Sequence, residues 1–256
     1  MITACCKAYA ATGEAVYLKL AENNIIFLEK NFRDAEANWH HTWKAGQAKH
    51  PAFLDDYAYL IQAYIRLQEV TGNGAYLLSA KKMVDKVVAN FADNETSFFW
   101  YTGSTQTDII IRKKEVYDGA VPSGNAVMTE NLLYLSVVFN IPEWKIQALT
   151  MLESLSMAIV RHPTSFGIWG LLLQSTVNGI NEIAITGIEA SKLLKEVNKQ
   201  YIPNKIIQSA ALGSNNFPLL EGKFANLNNN FIYLCRDYNC QKPVPTAEDL
   251  IMLLKN

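Results

Sequence analysis

Apolar positions in the first two thirds of the chain recur with the helical period, and the helices themselves recur in a longer repeat. Thr12-Gly13 is followed by Tyr17-Leu18, Ala21 and Asn31-Phe32, and Thr71-Gly72 by Tyr76-Leu77, Ala80 and Asn90-Phe91, at identical spacings and an offset of 59 residues. A weaker third copy carries Trp144 and Ala148 where the second has Tyr76 and Ala80. A period of this size predicts two helices per unit, each unit burying its apolar face against its neighbours.

Leu60, Ile61, Tyr64, Ile65 and Leu67 follow an acidic start at Asp55-Asp56, which suits a helix N-terminus. Gly72 to Gly74 breaks that helix, and Tyr76 to Phe91 reads as the returning one, with Leu77, Ala80, Val84, Val87 and Val88 on one face. A third pair is predicted over Ser123–Phe139 and Pro142–Val160, Pro142 suiting a first helical turn. A further helix covers Phe166 to Thr176. The expectation is three helical hairpins and one extra helix.

Two segments break the helical period. SFFWYT (97–102) and DIIIRKKEV (108–116) flank a polar turn at Gly103-Ser104 and predict a β-hairpin or extended loop. Beyond residue 180, NEIAITG reads as a strand, Glu189 to Gln200 as an amphipathic helix, NKIIQSA and FIYLC (231–235) as strands, and Ala247 to Lys255 as a closing helix. A strand–helix–strand order predicts a small parallel sheet. The Asn- and Gly-rich stretch from Gly213 to Asn230 is the segment expected to be mobile. The expected fold is therefore mainly α, with a helical-hairpin domain over 1–180 and a small α/β tail over 181–256.

Composition narrows the classes. Half of the 256 residues are apolar or aromatic, enough for a substantial core. Charged residues make up 18% with a net charge of −1, which offers nothing for nucleic acid or an anionic membrane surface. No apolar run reaches the roughly 20 residues that span a bilayer, and MITACCKAYAATGE lacks the form of a signal peptide. A cytoplasmic location is expected. Cys235 and Cys240, spaced C-x₄-C with no second pair and no nearby histidine, point to neither a metal site nor a disulfide framework. Buried free thiols flanking a turn are expected there, and neither a metal nor a cofactor is expected anywhere in the chain.

PAFLDDYAYLIQAYIRLQEVTG, EVYDGAVPSGNAVMTENLLYL, NEIAITG and FIYLCRDYNCQKPV occur in this order, and together they resemble the C-terminal part of the thioredoxin-domain-containing, spermatogenesis-associated protein family. The resemblance runs over essentially the whole chain. It implies a six-hairpin (α/α) toroid similar to N-acylglucosamine 2-epimerase, joined in the family to an N-terminal thioredoxin-like domain that has no counterpart here. Seven predicted helices stand where a full ring needs twelve, so a partial toroid is expected, either a fragment or a truncated relative. Such a partial ring would leave hairpin faces exposed for homo-oligomer formation.

The candidate chemistry lies where loops enter helices. Asp55-Asp56-Tyr57 could supply general acid/base catalysis, because two carboxylates can do so when their environments split their pKa values; helix capping explains the same residues equally simply. Glu115, Asp118 and the Pro122-Ser123-Gly124-Asn125 turn form a second cluster, with Ser123 a natural N-cap. Trp39, His40, His41, Trp43 and His50 lie in one polar stretch that reads as a surface loop or as sugar-stacking and proton-transfer groups. Trp100 and Tyr101 could line a cleft or simply pack. Asp56 and Asp118 are thus the catalytic candidates. Asp55, Tyr57, Trp43, Trp100, Glu115, Ser123 and Asn125 are the substrate-binding ones, with a small carbohydrate as ligand. The resemblance implies an epimerase- or glycosidase-like sugar-processing domain. The alternative is a non-catalytic scaffold working with a thioredoxin-like domain absent from this chain.

Overall fold

The computed structural model describes residues 1–107, 109–211, 217–223 and 229–255. Seven helices form its first part: α1 (Ile2–Thr12), α2 (Ala15–Asn31), α3 (Leu54–Thr71), α4 (Ala75–Phe91), α5 (Gly124–Phe139), α6 (Pro142–Arg161) and α7 (Gly167–Asn178). They pack as antiparallel hairpins α1–α2, α3–α4 and α5–α6, and the first helix of each lies beside the first helix of the next, giving an inner row α1–α3–α5–α7 backed by α2, α4 and α6. The inner row explains the composition of α5, which is apolar nearly all round and buried on nearly every side.

The repeated residues make the turns. Gly13 and Gly72 end α1 and α3 in the left-handed region (φ 77° and 74°), which glycine enters without a Cβ penalty. The preceding threonines do the same work twice. Thr12 and Thr71 donate to Ala8 O and Leu67 O, and accept from Glu14 N and Asn73 N. Ala21, Ala80 and Ala148 are fully buried, the small side chain letting each outer helix approach its partner. At the far ends of the first two hairpins the chain folds back in the same way, His40 N donating to Phe32 O and Trp100 N to Phe91 O.

The segments between hairpins resolve as follows. The polar stretch around Trp43 is not a plain loop but an antiparallel hairpin, β1 (His40–Lys44) and β2 (Gln47–Pro51), whose side chains are mostly exposed. The 97–116 segment takes the extended-loop alternative: among the described residues it forms no β-hairpin. It makes one isolated bridge, Ala92 to Phe99, a few backbone bonds such as Tyr101 N to Lys113 O, and side-chain bonds to Asn125. Asp108 lies outside the described residues.

The tail forms a mixed sheet. β3 (Asn181–Thr186) pairs in parallel with β4 (Lys205–Ala210) across α8 (Ala190–Asn198), as the strand–helix–strand pattern predicts. β5 (Phe231–Arg236) returns antiparallel to β3, then turns into β6 (Asn239–Cys240), so the sheet is not wholly parallel. α9 (Ala247–Lys255) covers one face, and a second apolar cluster forms between sheet, α8 and α9. The 213–230 stretch falls in part outside the described residues. Phe217, Leu219 and Leu220 within it are buried against the helices, with Phe217 facing Phe139, so this part is core and not a free loop. Cys235 and Cys240 are direct cross-strand partners and form a disulfide, which corrects the expectation of free thiols: the β5–β6 turn brings the pair together.

The tail docks on the C-terminal halves of α3 and α5. Asn198 Nδ2 donates to Glu69 O, Tyr238 OH to Val137 O, and Tyr134 OH to Ile207 O. Between the same two helices, Arg66 on α3 holds Glu69 on its own helix and Glu130 on α5. Replacing Arg66 by Met should destabilise the protein by roughly 3 kcal/mol in urea unfolding, because two carboxylates lose their shared cation. An unchanged midpoint would show that the pairing contributes nothing to the α3–α5 contact.

Candidate functional site

α3 and α5 run parallel, so their N-termini lie side by side at one end of the inner row. The approach is closest at Gly124, the first residue of α5: a Cβ there would come within 2.2 Å of Asp55 Oδ1 and 3.2 Å of Asp55 N. The Asp55-Asp56 motif and the Pro122–Asn125 turn therefore meet, though 63 or more residues separate them in sequence.

Most of the polar groups at this junction are committed to the backbone. Asp56 Oδ2 accepts from Phe53 N (2.9 Å), capping α3, and lies 2.8 Å from His41 Nδ1 on β1. Asp118 uses both oxygens. Oδ1 accepts from Ser123 N (3.0 Å), and Oδ2 accepts from Ile168 N (2.8 Å), which caps α7. Ser123 caps α5 by accepting from Ala126 N. Asn125 is wholly buried, its Oδ1 accepting from Phe99 N and its Nδ2 donating to Phe99 O and Glu115 O. These four side chains fix the frame in which three inner helices and the 97–116 segment converge.

Asp55 differs from them. Its Oδ1 is buried and, among the described residues, makes no hydrogen bond. Burial pushes its carboxyl pKa up, Asp56 and Glu115 push it further, and the nearby Gly124 N–H offsets part of the rise. Around it stand Tyr59, Tyr101, Glu115 and Asp118. Tyr59 donates to Pro122 O (2.7 Å), and its phenol is pushed up to about 12 by burial and by the charges of Asp55 and Asp118. Tyr101, also raised by burial and by Asp55, Asp56 and Glu115, stacks on Phe53 with centroids 4.9 Å apart, and His41 meets Phe53 edge-on at the same distance. Glu115 keeps an exposed carboxylate.

The remaining sequence candidates sit elsewhere. Tyr57 is buried and packs on Phe91, on the side of α3 that faces α4. Trp43 leans on Phe27 of α2. Trp100 is covered by two cations, Arg112 at 5.0 Å and Lys114 at 4.6 Å. Neither tryptophan has its contacts at the Asp55 cluster.

A second concavity has no counterpart in the sequence reading. A cavity of about 560 Å³ opens between α1, α3, α5 and α7 and is closed below by the α8–β4 connection. Its wall includes Arg66, Glu69 and Glu130. The signal for it was available: these are charged residues inside helices that are otherwise apolar on the inner face. Their partners, however, cannot be read without the helix packing.

No protein-family model matches the chain. The chain is homologous to spermatogenesis-associated protein 20: it is 24% identical to the Homo sapiens protein over 96% of this chain and 34% of that one, and 26% identical to the Rattus norvegicus protein over 79% of this chain and 27% of that one. An uncharacterised protein of Caenorhabditis elegans is 27% identical over 97% of this chain and 36% of its own length. The chain thus spans about a third of the length of these curated relatives. Among solved structures, a D-mannose isomerase matches 59% of this chain and 37% of its own at a TM-score of 0.48. A GH76 α-mannanase of Bacteroides thetaiotaomicron matches 88% and 60% at 0.49. Each is 18% identical.

Two variants separate the frame from Asp55. Asn125→Ala should cost about 2–4 kcal/mol in denaturant unfolding, because it strands buried Phe99 and Glu115 backbone groups; a loss under about 0.5 kcal/mol would contradict the clamp. Asp55→Asn should leave stability at pH 7 equal or higher, by about 1–3 °C in Tm. The sign follows from the raised folded-state pKa: Asp55 favours the folded state below its unfolded value near 3.8 and loses that contribution as pH rises through the folded value. The wild-type advantage over the variant should therefore grow as pH falls toward that range. A Tm at pH 7 several degrees below wild type would show that the ionised carboxylate is paired after all.

Proposed function

We propose that the chain is part of a sugar-processing (α/α) toroid, with Asp55 as its acid/base carboxyl. The observation that carries this is the partnerless buried oxygen of Asp55 at the paired N-termini of α3 and α5. A carboxyl whose proton is held more tightly than usual by burial and by neighbouring carboxylates is suited to exchange a proton with a leaving or ring oxygen. Glu115, exposed and close enough to raise Asp55, is the second carboxylate such chemistry needs. Tyr101 and Phe53 offer an aromatic face for a sugar ring, and His41 a second proton-transfer group beside Asp56. Asp56, Asp118, Ser123 and Asn125 hold these groups in place. The inner row α1–α3–α5–α7, each of the first three backed by an outer helix, supports the toroid reading, as does the family resemblance.

A second reading, a scaffold or interaction module, has its own support. Val16, Leu20, Ile26 and Phe27 on α2, and Ile146, Met157 and Val160 on α6, are exposed on the outer helices. Such faces favour association with another protein or another copy of this chain.

The deciding experiment is a thermal-shift screen of mono- and disaccharides on wild type and Asp55→Ala. A sugar that raises the wild-type Tm by about 2 °C or more and leaves a folded Asp55→Ala variant unmoved supports the sugar site. If no sugar moves the wild type while light scattering shows dimers or larger species, the scaffold reading stands instead.

A further inference from the structure

The cavity between the inner helices lies apart from the Asp55 cluster. Arg66 follows Asp55 by three helical turns, about 16 Å along the α3 axis. At about 560 Å³ it is within the range of ligand pockets, roughly 300–1,000 Å³. Its walls divide into two kinds. Ile168, Leu171 and Leu172 of α7 and Val70 of α3 make an apolar side, and Lys7, Lys199 and Lys205 stand around the rest.

The charges on the polar side are unequally committed. Both acidic side chains of the wall are taken. Glu69 receives Arg66 Nη1 on both oxygens, while Glu130 receives Arg66 Nη2 on one and Gln62 Nε2 on the other. The cations are not. Among the described residues Lys7, Lys199 and Lys205 form no ion pair, and Lys205 Nζ donates to Asn198 Oδ1 (3.1 Å). Arg66 retains one buried donor, Nε, without a partner among the described residues. Burial depresses the Lys205 pKa and Arg66 adds to the fall, while Glu69 offsets part of it. A ligand that met this wall would find every acidic acceptor occupied and several donors open.

We infer that this cavity binds a small amphipathic anion, its apolar body against α7 and its carboxylate or phosphate head among Lys7, Lys199 and Lys205. An anion there would supply the counter-charge that these lysines lack. The apolar body would displace water from the α7 side chains, about 0.8 kcal/mol per buried methylene. The site does not rest on sugar chemistry at Asp55: its lining includes none of the Asp55 cluster, although Ile168 of its wall donates its N–H to Asp118.

The test uses calorimetry and thermal shift on the whole chain with octanoate and octyl phosphate as anionic probes, 1-octanol as the neutral control and octylammonium as the cationic one. Octanoate or octyl phosphate should bind saturably and raise Tm by about 2 °C or more, and the larger shift names the head group. Octanol and octylammonium should bind at least tenfold more weakly. The Lys7→Ala/Lys199→Ala double variant, altered at exposed positions, should weaken the anionic probe about tenfold with an unchanged Tm of the free protein. Ala11→Trp, at an exposed lining position of α1, should block binding while circular dichroism stays the same. Absence of a shift with both anions, equal binding of octanol, or full octanoate affinity in the double-lysine variant would each overturn the inference.

Discussion

The side-by-side contact of α3 and α5 is the constraint on which the rest of the molecule depends. Two parallel helices, both buried on most sides, approach so closely at their N-termini that α5 must begin with Gly124. Along their length Asn131 Nδ2 donates to Ala58 O, and Arg66 ties Glu130 to the α3 side. Shifting one helix along the other by a single turn would break each of these links. The Asp55 cluster exists because the two N-termini are held level. The tail sheet has a docking surface because the C-terminal halves are level too.

The same contact explains why the two ends of the inner row differ. At the N-terminal end, helix capping takes up Asp56, Asp118 and Ser123 and leaves one buried carboxyl oxygen, Asp55 Oδ1, without a partner among the described residues. Toward the C-terminal end, the acidic groups are consumed and cations are left over. Both imbalances arise from fixed helix geometry, and both carry a desolvation cost that a packed domain of this size can absorb.

The helical hairpins were legible in the sequence because the Thr-Gly stops and buried alanines are local signals, and each acts within its own unit. β1 and β2 were not: HHTWK and QAKHP carry almost no buried side chains, so no apolar alternation marks them. SFFWYT is an aromatic run that suits a strand, yet Phe99 bonds the Asn125 amide in place of a strand partner, which no pattern within the segment reveals. The pairing of Cys235 with Cys240 followed from a tight turn at Asp237-Tyr238, where two non-glycine residues adopt positive φ. At the junction, the meeting of the two loop-to-helix motifs could be foreseen from parallel neighbouring helices. The division of labour within it could not, because an aspartate that caps and an aspartate left unpartnered look alike in one dimension. Arg66, Glu69 and Glu130 were overlooked for a related reason: their balance is settled only across two helices.

The matching returns at Phe32 and Phe91 have a consequence for how such a chain can diversify. The first two hairpins hand the backbone on through the same hydrogen-bonded gate, His40 to Phe32 and Trp100 to Phe91, and only beyond the gate do they differ, one growing a two-stranded ribbon and the other an irregular strap. Length and sequence can therefore drift in these inserts while the helices keep their spacing, because the gate isolates one from the other. Evolution can then revise the rim of such an array one insert at a time, without reopening the question of how the helices fit.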